Sequence, residues 1–542
     1  MRNYSSSALP TAAENGLAGS VQSACLIEPH GQSPSYRNST LDPRSRTWGL
    51  AVASAGVTRT THVYAGDLRL FSSSSVTVSD RNVTTRDVTP VEMPSGDGPA
   101  IERASSADLA FLAMDNGQAP QQFAVILILE RPGDFSLSQL QQLIADRIVA
   151  LPRLRQKLIK VAPGCGRPVW VDDGDFNIDH HVRAVSCRAP GDQRGLLETA
   201  LSVVMTPLPR EAPLWSVALI SDLVDGEAAV MVVLHHVLAD GLGGLNVLAA
   251  LVDPGLPPAH VPFPRASPTR ASLARHAMRT RLQGLSQVAG FWRSLRRAMF
   301  AGGGIHPAPA VPCSLVQRTG PRRTMAVVTV DRALLRAAAH RYGATTNDAI
   351  LVAVGGALHQ YLRSGGESID PIAITVPVSG RRSAGGSAVG NLVSPMLINI
   401  PTSGAMGERL AQVDAAVQAH RAAATGPPPI ALLGGLFRLL ARFGGYRFYM
   451  NHQRRFHTLV THVRGPVDPV TLGGHQVDSA IPVGVGEGGN MTAYFEVLSY
   501  AGVLTIAIIV DPDHGPDLKA LTHRLQSELE SIIAPLSRKE PC

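Results

Sequence analysis

Cysteine is scarce and scattered in this 542-residue chain: Cys25, Cys165, Cys187, Cys313 and Cys542 form no CxxC pair and no metal-ligand spacing. That excludes a disulfide-stapled scaffold and a zinc ribbon, and a reduced cytoplasmic compartment is the simplest reading. Aromatic residues make up only 5% of the chain and no nucleic-acid motif is present. The net charge of +7 is therefore not read as the footprint of a nucleic-acid binder. Lysine is nearly absent, four against 45 arginines, a bias that reports on the genome more than on chemistry. No apolar run reaches the roughly 18 residues of a spanning helix, and the N-terminus lacks a signal peptide's apolar stretch. Neither HExxH nor GxSxG occurs, which removes two common hydrolase sites, the zinc helix and the serine elbow.

What is present is length and apolar content, 45% of residues, enough for two domains. Residues 1–100 stand apart: rich in Ser, Thr, Gly and Pro, with a Ser72–Ser75 run, they are expected to be disordered. Met93 lies just ahead of the patterned region and is an alternative start. Residues 101–265 read as a first α/β domain. It contains a strand at Phe123–Leu129, a helix from Leu137 to Ala150 capped by Ser136, and a hairpin of Trp215–Ile220 with Ala228–Leu234 around Asp225-Gly226. A further helix is expected from Leu245 to Leu251. Residues 266–320 read as a linker carrying a basic amphipathic helix, either packed on the protein or lying on a membrane surface. Residues 321–542 read as a second α/β domain. Within it, Ile430 to Phe443 is either core or a lipid-facing lid.

The densest chemistry lies in His235-His236-Val237-Leu238-Ala239-Asp240-Gly241, directly after the apolar run Ala228–Leu234. A histidine where a buried strand becomes a tight loop is held rigidly and still faces a channel. Such a residue suits a general base that takes a proton from a hydroxyl. Successive residues of an extended segment face opposite ways. His235 and His236 therefore cannot share one role, and His235 is expected to hold the loop. Asp240 either orients the base or pins the loop. Gly241, Gly243 and Gly244 allow close backbone approach. His180-His181 together with His235, His236 and Asp240 raises a metal reading, but adjacent histidines diverge and chelate poorly, so no metal is expected.

The HHxxxDG stretch resembles the signature of the CoA-dependent acyltransferase superfamily. Further segments resemble one branch, the bacterial wax ester synthase/diacylglycerol acyltransferase family. These are Ser106–Leu112, Pro213-Leu214-Trp215, Asn347-Asp348, Pro377-Val378-Ser379-Gly380-Arg381, Gly390-Asn391, Val463-Arg464-Gly465-Pro466 and Tyr500-Ala501-Gly502. They stand in family order over residues 104 to 535. Gln121-Gln122-Phe123 and Thr461-His462 depart from the family pattern. The resemblance implies two chloramphenicol-acetyltransferase-like domains, each a mixed sheet flanked by helices, with an active-site tunnel between them. It implies transfer of a fatty acyl group from acyl-CoA, a substrate rather than a cofactor, to diacylglycerol or a long-chain alcohol. His236 would be the base, Asp240 would pair with an arginine such as Arg381, and Asn347 and Asn391 are candidate amide donors to the oxyanion. The implied setting is peripheral, at the inner membrane or a lipid droplet, with no nucleic-acid partner. The rival readings are a relative that acylates another lipid, sugar or polyketide alcohol, and an idle lipid-binding protein.

Overall fold

The computed structural model describes residues 101–115, 119–130, 133, 135–257, 262–285, 309–379, 393–423 and 437–537. The expectation for residues 1–100 lies outside these, as do those for Arg381 and Gly390-Asn391. Two six-stranded sheets organise the described chain. The first has the order β11-β12-β1-β6-β5-β4. Its strands are β1 (Gln122–Leu129), β4 (Val182–Ser186), β5 (Trp215–Ser221), β6 (Ala228–His235), β11 (Thr471–Leu472) and β12 (His475–Gly484). A separate hairpin joins β2 (Gln156–Ile159) to β3 (Val169–Asp172). The second sheet has the order β7-β14-β13-β10-β8-β9. It comprises β7 (Thr324–Asp331), β8 (Ile372–Ser379), β9 (Val393–Ile400), β10 (Thr458–Arg464), β13 (Ala493–Tyr500) and β14 (Val503–Val510). Chain order does not map onto the sheets one for one. Residues 471–484, which the sequence groups with the C-terminal half, complete the first sheet, with β12 antiparallel to β1.

The helices are α1 (Ser106–Met114), α2 (Leu137–Ile148), α3 (Gln193–Val204), α4 (Gly241–Leu251), α5 (Arg270–Leu285), α6 (Arg332–His340), α7 (Thr346–Ser364), α8 (Met406–Ala423), α9 (Gly445–His452) and α10 (Leu518–Ser537). Period-2 alternation splits each central strand between two cores. In β1, Val125 and Leu127 face the core that holds α2 and α4, while Ala124 and Ile126 face the core that holds α3 and the inner side of the second sheet. The outer side of the second sheet carries the largest core, built on the fully buried apolar face of α7 together with Leu525 and Leu529 of α10. Ser136 caps α2 with a capping box, as its Ser-x-x-Gln spacing predicts.

One boundary differs from the sequence reading, and one cap adds to it. α4 begins at Gly241, not Leu245, because the Asp240 side chain accepts the Gly243 N–H at 2.8 Å and caps it there. The cap of α7 is Thr345, so Asn347 lies inside the first turn and Asp348 closes the capping box. α5 packs Leu273 and Ala277 inward, Leu273 against Cys165, Val169 and Val171, and leaves Met278 and Leu282 exposed. Arg293, Arg296 and Arg297 lie outside the described residues.

Candidate active site

β6 delivers both histidines to the edge of the first core. The His235 N–H donates to the Leu214 carbonyl at 3.1 Å and the His236 N–H to the Gln121 carbonyl at 2.9 Å. The Pro-Leu-Trp segment and the start of β1 thus clamp the pair from two sides. Trp215 is buried beneath, its Nε1–H donating to Leu154 O at 2.6 Å. It stacks on His181, whose Nδ1 lies 2.9 Å from Trp215 O. His181 is therefore part of the packing under β5.

His235 is turned into the protein, 2% exposed. The Val237 N–H donates to its Nδ1 at 2.9 Å, so Nε2 carries the hydrogen and donates to Asp115 Oδ2 at 3.1 Å. Asp115 also receives Arg210 at 2.8 Å and the Gln121 N–H at 3.2 Å. Burial alone would raise the Asp115 carboxyl, but His235, Gln121 and Arg210 together hold it below the usual carboxylate range. The arrangement ties the end of α1, the start of β1 and the end of β6 into one knot.

His236 faces the other way. Its ring stacks on Phe111, centroids 5.0 Å apart and 18° between planes, and lies 4.7 Å from the Phe123 ring. This apolar cage shields much of the ring, although the residue keeps some exposure. Burial, reinforced by neighbouring His235, lowers its pKa to about 3, with the Ala239 carbonyl working against the shift. The imidazole is consequently neutral at neutral pH, the form that accepts a proton.

The loop after His236 is seated by two glycines. A Cβ on Gly241 would meet Val463 Cγ2 at 2.9 Å, and one on Gly244 would meet the Phe123 ring at 2.7 Å. Val463 belongs to β10, so the Val-Arg-Gly-Pro segment, more than 200 residues away in sequence, closes on the signature loop. Beside this contact lies an apolar pocket that is open to solvent. Its walls are Val125 and Leu127 of β1, Leu245 and Leu248 of α4, Gly465 and Pro466 after β10, and Leu498 and Tyr500 of β13. The Tyr500 hydroxyl is fixed, donating to Val477 O at 2.8 Å and accepting from the Val470 N–H at 2.9 Å. A second, open pocket lies on the Gln121 side and is lined by Met114, Arg318, Tyr446, Arg447 and Glu487 among others. Burial pushes the Glu487 carboxyl up, while Tyr446 Oη donates to it at 3.1 Å.

Other candidates from the sequence sit elsewhere. Asn347 is in the first turn of α7, which packs on the outer face of the second sheet. No hydrogen bond joins it to the His236 loop among the described residues. Pro377 and Val378 end β8, half-buried, and Arg381 and Asn391 lie outside the described residues. Four residues at the site escaped the sequence reading as functional. Asp115 carries no local signal. Phe111 and Phe123 sit inside quoted segments but show nothing of their partner. Glu496 is the lone charge in the apolar strand Ala493–Tyr500, which is a readable signal.

Comparison with known proteins gives the same frame. The family model of the wax ester synthase/diacylglycerol acyltransferase catalytic domain matches residues 104–350, and that of the WS/DGAT C-terminal domain matches 389–533. Two Mycobacterium tuberculosis H37Rv proteins provisionally named diacylglycerol O-acyltransferases are 27% and 28% identical. Their alignments cover 80% and 76% of this chain and 90% and 92% of the relatives. Among solved structures, the wax ester synthase/diacylglycerol acyltransferase from Marinobacter aquaeolei VT8 superposes with a TM-score of 0.58 at 22% identity, covering 81% of this chain and all of that one. A starter condensation domain of rhizomide synthetase, solved in complex with C8-CoA, superposes at 0.53 with 14% identity over 81% of this chain and 95% of that one. The fold is thus the mixed α/β, two-part, chloramphenicol-acetyltransferase-like architecture that these neighbours share. With both family models matched in order across most of its length, the chain belongs to the wax ester synthase/diacylglycerol acyltransferase family of acyltransferases.

Proposed function

We propose that this acyltransferase moves a fatty acyl group from acyl-CoA to diacylglycerol, and to long-chain alcohols, by direct attack with His236 as general base. The observation that carries the reading is the His236 imidazole caged by Phe111 and Phe123, with Val125 and Leu127, the next residues in the Phe123 row of β1, lining an apolar pocket. The acyl chain runs along the apolar walls of that pocket, burying methylenes at about 0.8 kcal/mol each. The acceptor hydroxyl gives its proton to His236 while its oxygen bonds to the thioester carbonyl carbon. The carbonyl electron pair moves onto oxygen. Collapse of this intermediate breaks the C–S bond, and His236 returns the proton to the departing sulfur. The step as written uses acyl-CoA as substrate and needs no cofactor. Holding two large substrates in register supplies most of the remaining acceleration.

The second substrate reaches His236 through the pocket beside Gln121. Its rim continues into Leu439, Leu440, Phe443, Phe448 and Tyr449, all exposed and interleaved with Arg438, Arg442 and Arg447. An exposed apolar patch of this kind suits a lipid surface. No helix among the described residues is long and apolar enough to cross a membrane. The reading is therefore peripheral attachment from the cytoplasmic side, at the membrane or a lipid droplet. Purified protein incubated with palmitoyl-CoA and a panel of acceptors (dipalmitoylglycerol, hexadecanol, a sugar alcohol) tests the function through CoA release and ester analysis. Absence of CoA release with every acceptor would sink it. Turnover only with a carrier-protein thioester would move it to the rival branch.

A further inference from the structure

The apolar cavity has a polar end. Side chains of alternate residues share a face, so Leu127, Val125 and Phe123 form one row on β1, and Tyr500, Leu498 and Glu496 form another on β13. Leu127, Val125, Tyr500 and Leu498 line the cavity, and Ala480 of β12 joins them. The next position in each row toward His236 is Phe123 and Glu496. Gly484, the partner of Phe123 across β1 and β12, lies under the Glu496 carboxyl, which leaves no room for any side chain there. The carboxyl therefore covers the position paired with Phe123 on β12, and the Phe123 ring touches His236. An acyl chain lying along these two rows would bring its thioester carbonyl to this end.

We propose that Glu496 is a catalytic residue of the acyl transfer, its neutral carboxyl donating a hydrogen bond to the oxyanion that forms on the thioester carbonyl. The inference rests on the acyl-transfer reading above. No cation pairs with Glu496 among the described residues, and although the residue keeps some solvent exposure, desolvation of its carboxyl raises its pKa to about 7. A carboxylic acid kept protonated in an apolar site is an effective oxyanion donor. The residues paired with it, Thr461 and Ala507, do not titrate, nor do Gly484 and Phe123 across the gap. The titratable groups along its row are Tyr494 and Tyr500, with Glu487 beyond Tyr494 and His236 beyond Phe123. Glu496 is not consumed. It holds the oxygen while C–O forms and C–S breaks, and keeps its proton throughout.

The test is kcat and KM for palmitoyl-CoA with hexadecanol, between pH 5.5 and 8.5, for wild type, Glu496→Ala and Glu496→Gln. Loss of one oxyanion donor costs roughly 10²–10³ in kcat. Glu496→Ala should fall by that factor with KM little changed. Glu496→Gln, which keeps an N–H donor and the shape, should stay within about tenfold of wild type. Wild-type kcat should decline as pH rises through about 7, because the donor form is lost, and Glu496→Gln should lack that decline. A Glu496→Ala enzyme with wild-type kcat overturns the assignment. So does a wild-type rate that climbs through pH 7 while Glu496→Gln is as slow as Glu496→Ala, since that marks a base. Circular dichroism checks folding, and if Glu496→Ala fails to fold the isosteric variant and its pH profile decide alone. A wild-type protein that releases no CoA overturns the acyl-transfer reading itself, whereas an active wild type beside an equally active Glu496→Ala overturns only this inference.

Discussion

At the scale of single residues, one peptide bond separates two histidines of opposite character. His235 is bonded at both ring nitrogens and anchored to Asp115, whereas His236 is held by aromatic faces. The difference follows from strand geometry, since adjacent side chains leave the backbone on opposite sides. His236→Ala should lower the acyl-transfer rate by roughly 10²–10⁴-fold, the worth of a positioned base, while acyl-CoA binding survives. His235→Ala should act through the fold. It strips the half-buried Asp115 carboxylate of one donor, at a cost of about 1 kcal/mol, and the rate per folded molecule should fall less than tenfold. Thermal melts beside rates for both variants separate the two roles, and an active His236→Ala next to a folded but dead His235→Ala would reverse them. The pH dependence has a definite sign. With its pKa depressed to about 3, His236 stays a competent base throughout the mildly acidic range. The rate should therefore show no histidine-type acid limb between pH 7 and 5, and a fall centred near ~6.5, the ordinary histidine value, would mean the ring is solvated during turnover.

At the scale of elements, the signature loop is short because α4 starts inside it. Asp240 accepts the Gly243 N–H and sets the first turn although Gly241, Gly243 and Gly244 are poor helix formers. Asparagine caps nearly as well as aspartate, and alanine does not. Asp240→Ala should cost about 0.5–2 kcal/mol of stability, and Asp240→Asn much less, if the cap is the main task. Denaturant melts of the two variants decide this. An Asp240→Asn protein as unstable as Asp240→Ala would instead assign the work to the carboxylate charge. Much at this scale was legible in the sequence. The hairpin around Asp225-Gly226, the Ser136 cap and the apolar strand feeding His235 all follow from local periodicity and turn chemistry. The early start of α4 was not, because a cap bond outweighed glycine propensity. Nor was β12 in the first sheet, because strand pairing across some 350 residues leaves no local mark. The same holds for Asp115, Phe123 and Val463, which matter only through partners far away in sequence.

At the scale of the whole molecule, the segment that contributes Tyr446, Arg447 and Met450 to the second pocket also carries exposed apolar residues. Leu440, Phe443 and Phe448 are 53%, 79% and 68% exposed in the folded chain. Soluble proteins rarely display such residues together without a use. Full burial of each is worth about 1.5–3 kcal/mol, so even partial insertion of three into a lipid interface outweighs what a few arginines gain from anionic headgroups under salt screening. The attachment should therefore persist on neutral phosphatidylcholine vesicles and weaken only modestly between 50 and 500 mM salt. Replacing Leu440, Phe443 and Phe448 together by serine should reduce vesicle co-sedimentation by roughly tenfold or more, since a loss of 1.4 kcal/mol is already a factor of ten. The same variant should keep its rate on a short-chain alcohol dissolved in water, because none of the three residues lines either cavity. A triple variant that still sediments, with binding that collapses as salt rises, would shift the contact to a basic surface. One that loses its rate on the soluble alcohol would show that the patch belongs to the substrate path and not to lipid docking.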